Sequence, residues 1–459
     1  MEFENTVREM VEQTVKDVLG ILTTDILNKA LSFGEIVQHT QESINTLGRA
    51  LVQSVCAKVD DMYAKERPKG IHIRNKTKRR TMLTSMGEIT ITRRLYADSE
   101  RNARFFAVDE LLSIPKYTRI EPTLQADLIK RAAVDSYGAV ARSIGEKISR
   151  QSVYNIVKRN AYKTPTVAKL TKKDGIKTVE ELFIEADEDH IHLNNGKSEE
   201  VKLVYVHEGR RTVNGRVALI NPRYFVSCKL KSRTQSIWEE VSAYVYKRYN
   251  VRGCLHISGD GATWIYAGKE YFPLMPCKFH LDKFHVVKSI TTACGGNIKD
   301  KISVFHAVEG QDGATLKFLY DDMKKRRPYA RKAITDSFKY INNHLKEISF
   351  EKDNLCSAEG HVSHILSAHL SARPCGWSRS GAERIAKIRA YYFNSQGDFS
   401  VFIPKRPKIY AEKTRILPKQ RNLPCRTPVQ RKYVFPQQGH ISEGYYSKIK
   451  ELLKNFAKI

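Results

Sequence analysis

Residues 254–264 read CLHISGDGATW, and the predicted fold and site are organised around this stretch. The apolar run 255–257 is typical of a buried strand, and the Ser-Gly-Asp-Gly sequence after it marks the end of that strand. Asp260 is therefore predicted to project from the C-terminal edge of a sheet. Because glycine stands on both sides, a metal ion or a phosphate can approach this carboxylate closely. The alternative is that Asp260 only caps a helix that begins near Ala262.

The composition of the chain indicates a polyanionic partner. Among 459 residues, 78 are Lys or Arg and 50 are Asp or Glu, which gives a formal net charge of +28. Nucleic acid is the leading candidate, since no basic amphipathic helix stands out that would bind an acidic membrane surface. No apolar run approaches the roughly 18 residues of a membrane span, and the N-terminus lacks the basic and apolar regions of a secretory signal. Eight scattered cysteines without a Cys-x-x-Cys pair fit a reducing cytoplasm.

Residues 1–64 are predicted to be helical, and residues 65–118 to form a basic β-hairpin region. From Ile44 to Met62, apolar residues recur every three or four positions, so one helix face either packs in its own domain or mediates self-association. In the hairpin, the first strand is predicted over residues 79–84, and alternation with a period of two predicts a second strand over residues 89–96. Arg93 and Arg94 lie on that strand and are predicted to neutralise DNA phosphates, with a solvated charged face as the alternative.

Residues 119–165 are predicted to form a helix-turn-helix. Helices over 124–134 and 136–145 precede a turn, and Ser149 then caps a third helix over residues 150–162. In this motif the second helix of the pair enters the major groove, where Arg, Gln and Asn side chains read base edges. The predicted DNA-binding residues on that helix are Arg150, Gln151, Asn155, Lys158 and Arg159.

Residues 175–395 are predicted to form a mixed α/β sheet, because three strands, a helix, a strand, a helix and a strand follow one another. The first strand is acidic in its middle, and Asp187 and Asp189 point to one face because side chains alternate along a strand. A basic helical insertion is expected at about 285–350. Residues 396–459 are predicted to be an extended basic arm with a closing helix, since the arm is rich in basic residues and proline.

An acidic residue in the first strand, Asp260 at the end of the fourth and a glutamate on a late helix can converge on one site. Three carboxylates there repel one another unless divalent cations neutralise them. Two Mg²⁺ ions about 4 Å apart can activate a water or a 3′-hydroxyl and stabilise the leaving oxygen of a phosphodiester. In a basic protein, this constellation predicts a DNA nuclease or a strand-transfer enzyme.

Four motifs also carry a resemblance to a known family: IEADEDHI at 184–191, SGDGA at 258–262, CKFH at 277–280 and SAEGHVSH at 357–364. With them the chain resembles the DDE transposases of bacterial insertion sequences, in the Mutator-like superfamily, within a branch long catalogued as an uncharacterised protein family. The resemblance covers nearly the whole chain. It implies a multidomain α+β fold, in which N-terminal helices, a β-hairpin and a helix-turn-helix precede an RNase H-like mixed α/β catalytic core with a helical insertion.

The resemblance implies that Asp187, Asp260 and Glu359 are the catalytic triad and hold two Mg²⁺ (or Mn²⁺) ions. The expected accessory residues near the site are Asp189, Cys277, His280, His361 and His364. Three alternatives stay open. Asp189 competes with Asp187 as the first ligand, and Glu383 competes with Glu359 as the last acid. The two pairs Cys277/His280 and His361/His364 match, loosely, the residue types of a structural zinc site.

The function implied by the resemblance is metal-dependent DNA transposition, with DNA cleavage and strand transfer in one site. The helix-turn-helix and the hairpin would bind terminal inverted repeats of double-stranded DNA, and the same protein would engage target DNA. A homodimer or a larger oligomer on DNA is expected, in the bacterial cytoplasm at the nucleoid, with no membrane partner. The alternative is a sequence-specific DNA-binding regulator, or a domesticated transposase, without cleavage activity.

Overall fold

The computed structural model describes residues 2–20, 32–100, 102–145, 147–164, 175–228, 237–348, 356–372 and 375–403. The chain divides into two compact units, residues 1–125 with 403–459, and residues 126–402. The predicted basic arm and closing helix lie outside the described residues from position 404 onward. Within the described ranges, no helix combines the length and the apolar character that crossing a membrane requires.

Two long helices and a small antiparallel sheet build the described part of the first unit. In chain order its elements are α1 (Glu2–Gly20), α2 (Phe33–Glu66), β1 (Ile71–Thr84), β2 (Gly87–Asp98), β3 (Ala103–Phe105) and α3 (Ala107–Leu111). The strand order is β1-β2-β3. The predicted hairpin is therefore present, and its first strand begins at Ile71, eight residues before the predicted start at Arg79.

The apolar face of α2 has two different environments. Cys56 and Val59 are buried in a cluster with Met82, Ile89 and Ile91 of the hairpin. The Ile44 side chain, in contrast, is 55% exposed. The second half of the predicted apolar face is thus core of its own unit, because it covers the sheet. Self-association through the first half stays a prediction.

Three helices occupy the region that was predicted to be a helix-turn-helix: α4 (Pro122–Ala132), α5 (Tyr137–Arg142) and α6 (Arg150–Asn160). The predicted cap is confirmed, since the Ser149 hydroxyl accepts a hydrogen bond from the amide of Ser152. Val153, Ile156 and Val157 are buried, as the apolar spacing predicted. The polar residues between them therefore face outward.

A five-stranded mixed sheet forms the centre of the second unit. Its elements in chain order are β4 (Lys177–His192), β5 (Ser198–His207), the hairpin of β6 (Arg210–Val213) and β7 (Arg216–Leu219), β8 (Arg223–Cys228), α7 (Ile237–Arg248), β9 (Tyr249–Gly259), α8 (Thr263–Tyr266) and β10 (Cys277–Leu281). The strand order is β10-β9-β4-β5-β8. β4, β9 and β10 are parallel, and β5 runs antiparallel to β4 and β8. The predicted mixed α/β sheet is confirmed, while the β6–β7 hairpin was not predicted.

The two faces of this sheet differ in chemistry. On one face, Leu182, Ile184 and Ile257 join a large apolar cluster with Trp238 and Val241 of α7. The other face carries an unusual number of buried polar side chains, because the alternate residues of β4 point there. Those buried residues are Glu185, Asp187, Asp189 and, on β5, His207.

Helices follow the sheet, as predicted for the insertion at about 285–350. They are α9 (Lys283–Cys294), α10 (Ile298–Glu309), α11 (Gly313–Arg326) and α12 (Arg331–Asn343). Their inner residues, such as Ile290, Tyr320 and Ile341, join the same apolar cluster as the sheet. The last described elements are α13 (Ala358–Val362), a π-helical turn (Ser363–Ser367), α14 (Ala368–Leu370) and α15 (Arg379–Asn394).

A buried arginine ties α15 to two neighbouring segments. The Arg389 side chain donates hydrogen bonds to the carbonyl oxygens of Ile365, His364 and Ala133, the last of which follows α4. Two of these carbonyls belong to the π-helical turn, where the backbone departs from the regular helical hydrogen-bond ladder. Burial lowers the pKa of Arg389 to about 10, so the guanidinium remains charged at neutral pH. The arginine therefore stabilises a segment that helix geometry alone does not satisfy.

Candidate active site and DNA-binding surfaces

Asp187 and Asp260 lie at the same level of two adjacent strands. β4 and β9 are parallel, and Glu185 of β4 pairs with Ser258 of β9. Two residues further along the chain are Asp187, within β4, and Asp260, the first residue after β9. Because side chains alternate along a strand, both carboxylates belong to the same face of the sheet. The register of one parallel strand pair thus brings together two acids that are 73 positions apart in the sequence.

Asp187 is the most deeply buried acid of this group, with 6% of its surface exposed. Its Oδ1 accepts a hydrogen bond of 2.8 Å from the Glu188 amide, whereas Oδ2 is buried and has no hydrogen-bond partner among the described residues. Burial raises the pKa of Asp187 to about 7, with further increments from the negative charges of Glu359 and Asp260. Both Asp260 and Glu359 therefore lie within electrostatic reach of Asp187.

The turn that carries Asp260 is held from two sides. Its Oδ1 accepts a hydrogen bond of 2.9 Å from the Ala262 amide, and its backbone oxygen accepts one of 2.8 Å from the Tyr340 hydroxyl of α12. Gly261 has a φ of +91°, and a Cβ there would stand 2.9 Å from Leu281. The glycine is therefore required by backbone conformation and packing. Asp260 does not cap the following helix: α8 begins at Thr263, and its N-cap residue Ala262 receives no side-chain capping hydrogen bond. The hydrogen bond from the Ala262 amide closes a turn instead, and it uses only one carboxylate oxygen of Asp260.

Glu359 lies in the first turn of α13 and its side chain is exposed. As the side chains are placed, no three His, Cys, Asp or Glu residues of the described ranges converge closely enough to hold one metal ion. The donors are nonetheless the carboxylate oxygens that Mg²⁺ prefers. Asp187 also offers a buried Oδ2 that lacks a hydrogen bond. The chemistry of these donors therefore fits a hard divalent cation.

Two further residues at this site were missed by the sequence analysis. Asp282 caps α9, and its Oδ2 lies 3.0 Å from Nδ1 of His285. That hydrogen bond raises the pKa of His285, and the charges of Asp187 and Asp260 raise it further. The missed signal was an Asp-Lys-Phe-His sequence at 282–285, directly after β10, which repeats the Lys-Phe-His of the motif at 277–280. A protonated His285 would offset repulsion among the acids.

The competing acids have partners of their own. Both carboxylate oxygens of Asp189 accept hydrogen bonds of 3.0 Å from the Ser371 hydroxyl. Glu383 accepts a hydrogen bond of 2.6 Å from Lys387, one turn along α15. Asp189 and Asp187 share a strand face, as predicted. Of these two acids, Asp187 is the one with a buried carboxylate oxygen that has no hydrogen-bond partner among the described residues. This difference favours Asp187 as the first metal ligand.

The remaining predicted accessory residues lie at two separate places. Nε2 of His280, on β10 with Cys277, lies 2.8 Å from Nδ1 of His256. The His361 ring packs against the ring of Tyr205 on β5, tilted by 32° with centroids 4.5 Å apart, and His364 contacts Phe393. Because β9 and β4 lie between β10 and β5, these places are about three strand spacings, or roughly 14 Å, apart. This separation argues against the zinc alternative.

The predicted DNA-binding residues of α6 are all exposed: Arg150, Gln151, Asn155, Lys158 and Arg159. The Gln151 amide donates a hydrogen bond of 3.2 Å to Asn155 on the same surface. These side chains therefore form one polar and basic face of a helix whose opposite face is core.

Arg93 and Arg94 are placed differently from the prediction. Arg93 is buried and, with Arg80, forms ion pairs with Asp109. Arg94 forms ion pairs with Asp60 and Asp61 of α2. Because their charges are already neutralised, this placement argues against both as phosphate contacts. The alternation along β2 already indicated that Arg93 is buried, since Arg93 lies on the same strand face as the inward-facing Ile89 and Ile91. The exposed basic residues of the hairpin are instead on β1: His72, Arg74, Lys76, Lys78 and Arg79.

Comparison with known proteins gives relatives along most of the chain. Residues 26–406 match the sequence profile of the uncharacterised protein family UPF0236. The UPF0236 protein TTE2489 of Caldanaerobacter subterraneus subsp. tengcongensis is 32% identical over 410 residues, which are 86% of either chain. A second relative in that organism, whose name joins eleven designations from TTE0033 to TTE2212, is 30% identical over 91% of this chain and 90% of its own. The UPF0236 protein in vanSb 3′region of Streptococcus gallolyticus is 24% identical over 67% of this chain and 73% of its own.

Proposed function

The chain belongs to the uncharacterised protein family UPF0236, and from that premise we propose that it is a DDE-type DNA transposase of an insertion sequence. The proposed activity is metal-dependent cleavage at the ends of the element, followed by strand transfer into target DNA. The observation that carries the proposal is the buried Asp187 carboxylate, whose Oδ2 has no hydrogen-bond partner among the described residues and whose pKa is raised by burial and by the charges of Glu359 and Asp260. These three acids belong to three separate motifs, and their convergence on one metal site is the prediction under test.

The topology of the sheet supports an RNase H-like core. Convergence of the acids requires that the first and fourth strands of the core be neighbours. In the sheet β10-β9-β4-β5-β8, the first strand is β4 and the fourth is β9, and these two are adjacent and parallel. The C-terminal ends of parallel strands are where ligand sites form in open α/β sheets.

The number of relatives in one organism supports a mobile element. UPF0236 has many paralogues in Caldanaerobacter subterraneus subsp. tengcongensis, and single names in that set join up to eleven designations. A gene that moves by copying itself into new places accumulates in this way. A single-copy housekeeping enzyme does not.

Three features support double-stranded DNA as the partner. The chain has a net charge of +28, α6 presents an exposed polar and basic face, and β1 presents exposed lysines and arginines. We propose that α4, α5 and α6 form a helix-turn-helix, with α6 in the major groove. The β1 surface would contact phosphates without reading sequence.

The proposed cofactor is a pair of Mg²⁺ or Mn²⁺ ions that Asp187, Asp260 and Glu359 would hold. When bound, such ions neutralise charge on the attacking and leaving oxygens of a phosphodiester. The protein's own contribution is to hold these acids in place. The β4–β9 register sets the level of two of them, Asp187 and Asp260. The hydrogen bond from Tyr340 also holds the backbone at Asp260.

The test of the function is DNA cleavage and joining by the full chain on DNA that carries the ends of the element, with Mg²⁺ or Mn²⁺. The wild type should cleave and transfer strands. Asp260→Asn and Glu359→Gln should each lower the rate by about three orders of magnitude, since each removes a metal ligand. The matched control is Glu383→Gln, which should keep the wild-type rate.

Two results would contradict this proposal: no cleavage by the wild type, or both variants cleaving at its rate. Sequence-specific binding of the element ends without cleavage would support the alternative of a DNA-binding regulator or a domesticated protein. Flanking inverted repeats with short direct duplications around the gene would support transposition.

The β1 surface leads to a separate prediction about affinity. Lys76→Ala/Lys78→Ala should weaken DNA binding by about one to two orders of magnitude at 0.1 M salt and lower the slope of log K against log salt by about 2, because two phosphate contacts are lost. Fluorescence anisotropy over a salt series measures both quantities. The control Lys317→Ala/Lys325→Ala removes the same charge from exposed positions of α11. Equal losses for the two double variants would mean that only net charge matters.

A further inference from the structure

We propose that Glu185 is a positioning residue that anchors the start of α13, and with it Glu359, to the central strand of the sheet. The role of Glu359 in this inference rests on the proposed function. The anchoring itself follows from the contacts of Glu185, which lies two residues before Asp187 on the same strand face.

Glu185 is 2% exposed and accepts hydrogen bonds from four residues. Its Oε2 accepts from the Tyr205 hydroxyl, from the Ser357 amide at 2.6 Å and from the Ser357 hydroxyl at 3.1 Å. Its Oε1 lies 2.9 Å from Nε2 of His207 and accepts a hydrogen bond from Arg210 at the start of the β6–β7 hairpin. One carboxylate therefore joins two strands, a hairpin and the segment that begins α13.

The hydrogen bonds of Ser357 show which segment Glu185 holds in place. Ser357 is the N-cap residue of α13, yet its hydroxyl makes no capping hydrogen bond. Serine is among the preferred N-cap residues because its oxygen usually accepts an amide of the first turn. Here both the hydroxyl and the amide of Ser357 are directed to Glu185 instead, 172 positions away in the sequence. The start of the helix is thus tied to β4.

A second attachment lies one turn further along the helix. The His361 ring packs against the ring of Tyr205, and its Nδ1 lies 3.0 Å from the backbone oxygen of Ser357. Tyr205 is itself hydrogen-bonded to Glu185. Glu359 lies between Ser357 and His361, so both ends of its turn are held by the network around Glu185. α13 continues without a break into the π-helical turn and α14, so these contacts hold the N-terminal end of one helical run over residues 358–370.

Glutamine at position 185 would disrupt this network with almost no change in volume. A carboxylate has two acceptor oxygens, whereas an amide has one acceptor and one donor group. The hydroxyl and amide donors of Tyr205 and Ser357 occupy one oxygen, and Arg210 and His207 occupy the other. In Glu185→Gln, one of these two sets of donors must therefore lose its acceptor.

Glu199 provides a matched control in the same sheet. It lies on β5, is 7% exposed, and accepts hydrogen bonds from Nε and Nη2 of Arg379. Glu199→Gln therefore also removes the charge from a buried glutamate that is paired with an arginine. The hydrogen bonds of Glu199 go to α15 and none goes to α13 among the described residues.

The experiment measures hydrogen–deuterium exchange of the full-length, metal-free chain and Mn²⁺ binding by electron paramagnetic resonance. Glu185→Gln should accelerate exchange at 356–362 about tenfold and weaken Mn²⁺ binding about tenfold, while Glu199→Gln should change neither. Ser357→Ala removes only the hydroxyl and should shift both quantities in the same direction by a smaller factor. It keeps the test informative if Glu185→Gln fails to fold.

Wild-type exchange at 356–362 in both Glu185→Gln and Ser357→Ala would overturn the anchoring. Equally accelerated exchange at 356–362 in Glu199→Gln would mean that the effect of Glu185→Gln is a general loss of stability and not the loss of an anchor. Accelerated exchange with unchanged Mn²⁺ affinity would overturn the positioning of Glu359 for the metal. If the wild type binds no Mn²⁺, the proposed function fails, and the exchange data still decide whether Glu185 anchors α13.

Discussion

Asp187→Asn should make the metal-free protein more stable at pH 8, by up to about 4 kcal/mol, although it removes a residue of the candidate site. Burial raises the pKa of Asp187 from 3.8 to about 7. Between about pH 4 and pH 7, the folded protein therefore binds a proton that the unfolded chain has released, and the free energy of unfolding falls as the pH rises. Each unit of pKa shift corresponds to about 1.4 kcal/mol. Asparagine stays neutral and avoids this cost.

Denaturant titrations with EDTA at pH 4.5, 6 and 8 measure this effect as the difference between wild type and Asp187→Asn. The difference should be smallest at pH 4.5 and largest at pH 8. A difference in free energy of unfolding between wild type and Asp187→Asn that stays constant across that pH range would contradict a raised pKa at Asp187.

The same titrations with Mg²⁺ at pH 8 link the acid to the metal. Any cation that binds only the folded state stabilises it by mass action, so the wild type should gain stability and Asp187→Asn should not. Asp189→Asn is the control for this arm, because Asp189 is hydrogen-bonded to Ser371. It should retain the gain with Mg²⁺. Loss of that gain in Asp189→Asn with its retention in Asp187→Asn would make Asp189 the first ligand.

Arg389→Met should destabilise the second unit by about 3 to 5 kcal/mol. Methionine keeps much of the side-chain length but leaves the carbonyl oxygens of Ile365, His364 and Ala133 without their donor. Each buried acceptor that loses its partner costs about 1 to 3 kcal/mol. The loss should be large because the π-helical turn has few other ways to satisfy these carbonyls.

Urea denaturation followed by circular dichroism measures this loss, with Lys387→Ala as the control on the same helix. Lys387 is half exposed and pairs with Glu383 one turn away, so its removal should cost less than about 0.5 kcal/mol. A loss below about 1 kcal/mol for Arg389→Met would mean that water or a rearranged turn replaces the guanidinium.

The hairpin of the first unit shows which strands the alternation of apolar and polar residues can predict and which it cannot. It predicted the second strand well, because Ile89 and Ile91 are buried against α2 and the residues between them are exposed. It missed most of the first strand, since residues 74–79 carry no apolar side chain whose period could be read. Their pairing with β2 is also irregular, with register shifts between Ile73 and Lys78. That part of β1 is recognisable as a strand only from its pairing with β2.

At the candidate site, the sequence placed the three acids on the correct kinds of element: a strand, the turn after a strand and a helix. It could not separate Asp187 from Asp189, because both point to the same face of β4. The separation depends on neighbours that come from elsewhere in the chain, Ser371 for Asp189 and Asp260 for Asp187. Asp282 and His285 were missed for the same reason, since their importance arises from the place where β10 ends beside β9.

The amino-acid sequence by itself determined the features that depend on nearest neighbours along the chain. These are most of the described helices and of the strands of the central sheet, the Ser149 cap, the inner face of α6 and the turn at Gly261, all of which follow from local periodicity and backbone conformation. Only the tertiary structure decided which charged groups are buried and what they hold. Glu185 contacts Ser357, and Arg389 contacts Ala133, across 172 and 256 positions. A buried charge is stable only beside partners that the fold supplies, and a local pattern cannot identify partners so distant in the sequence.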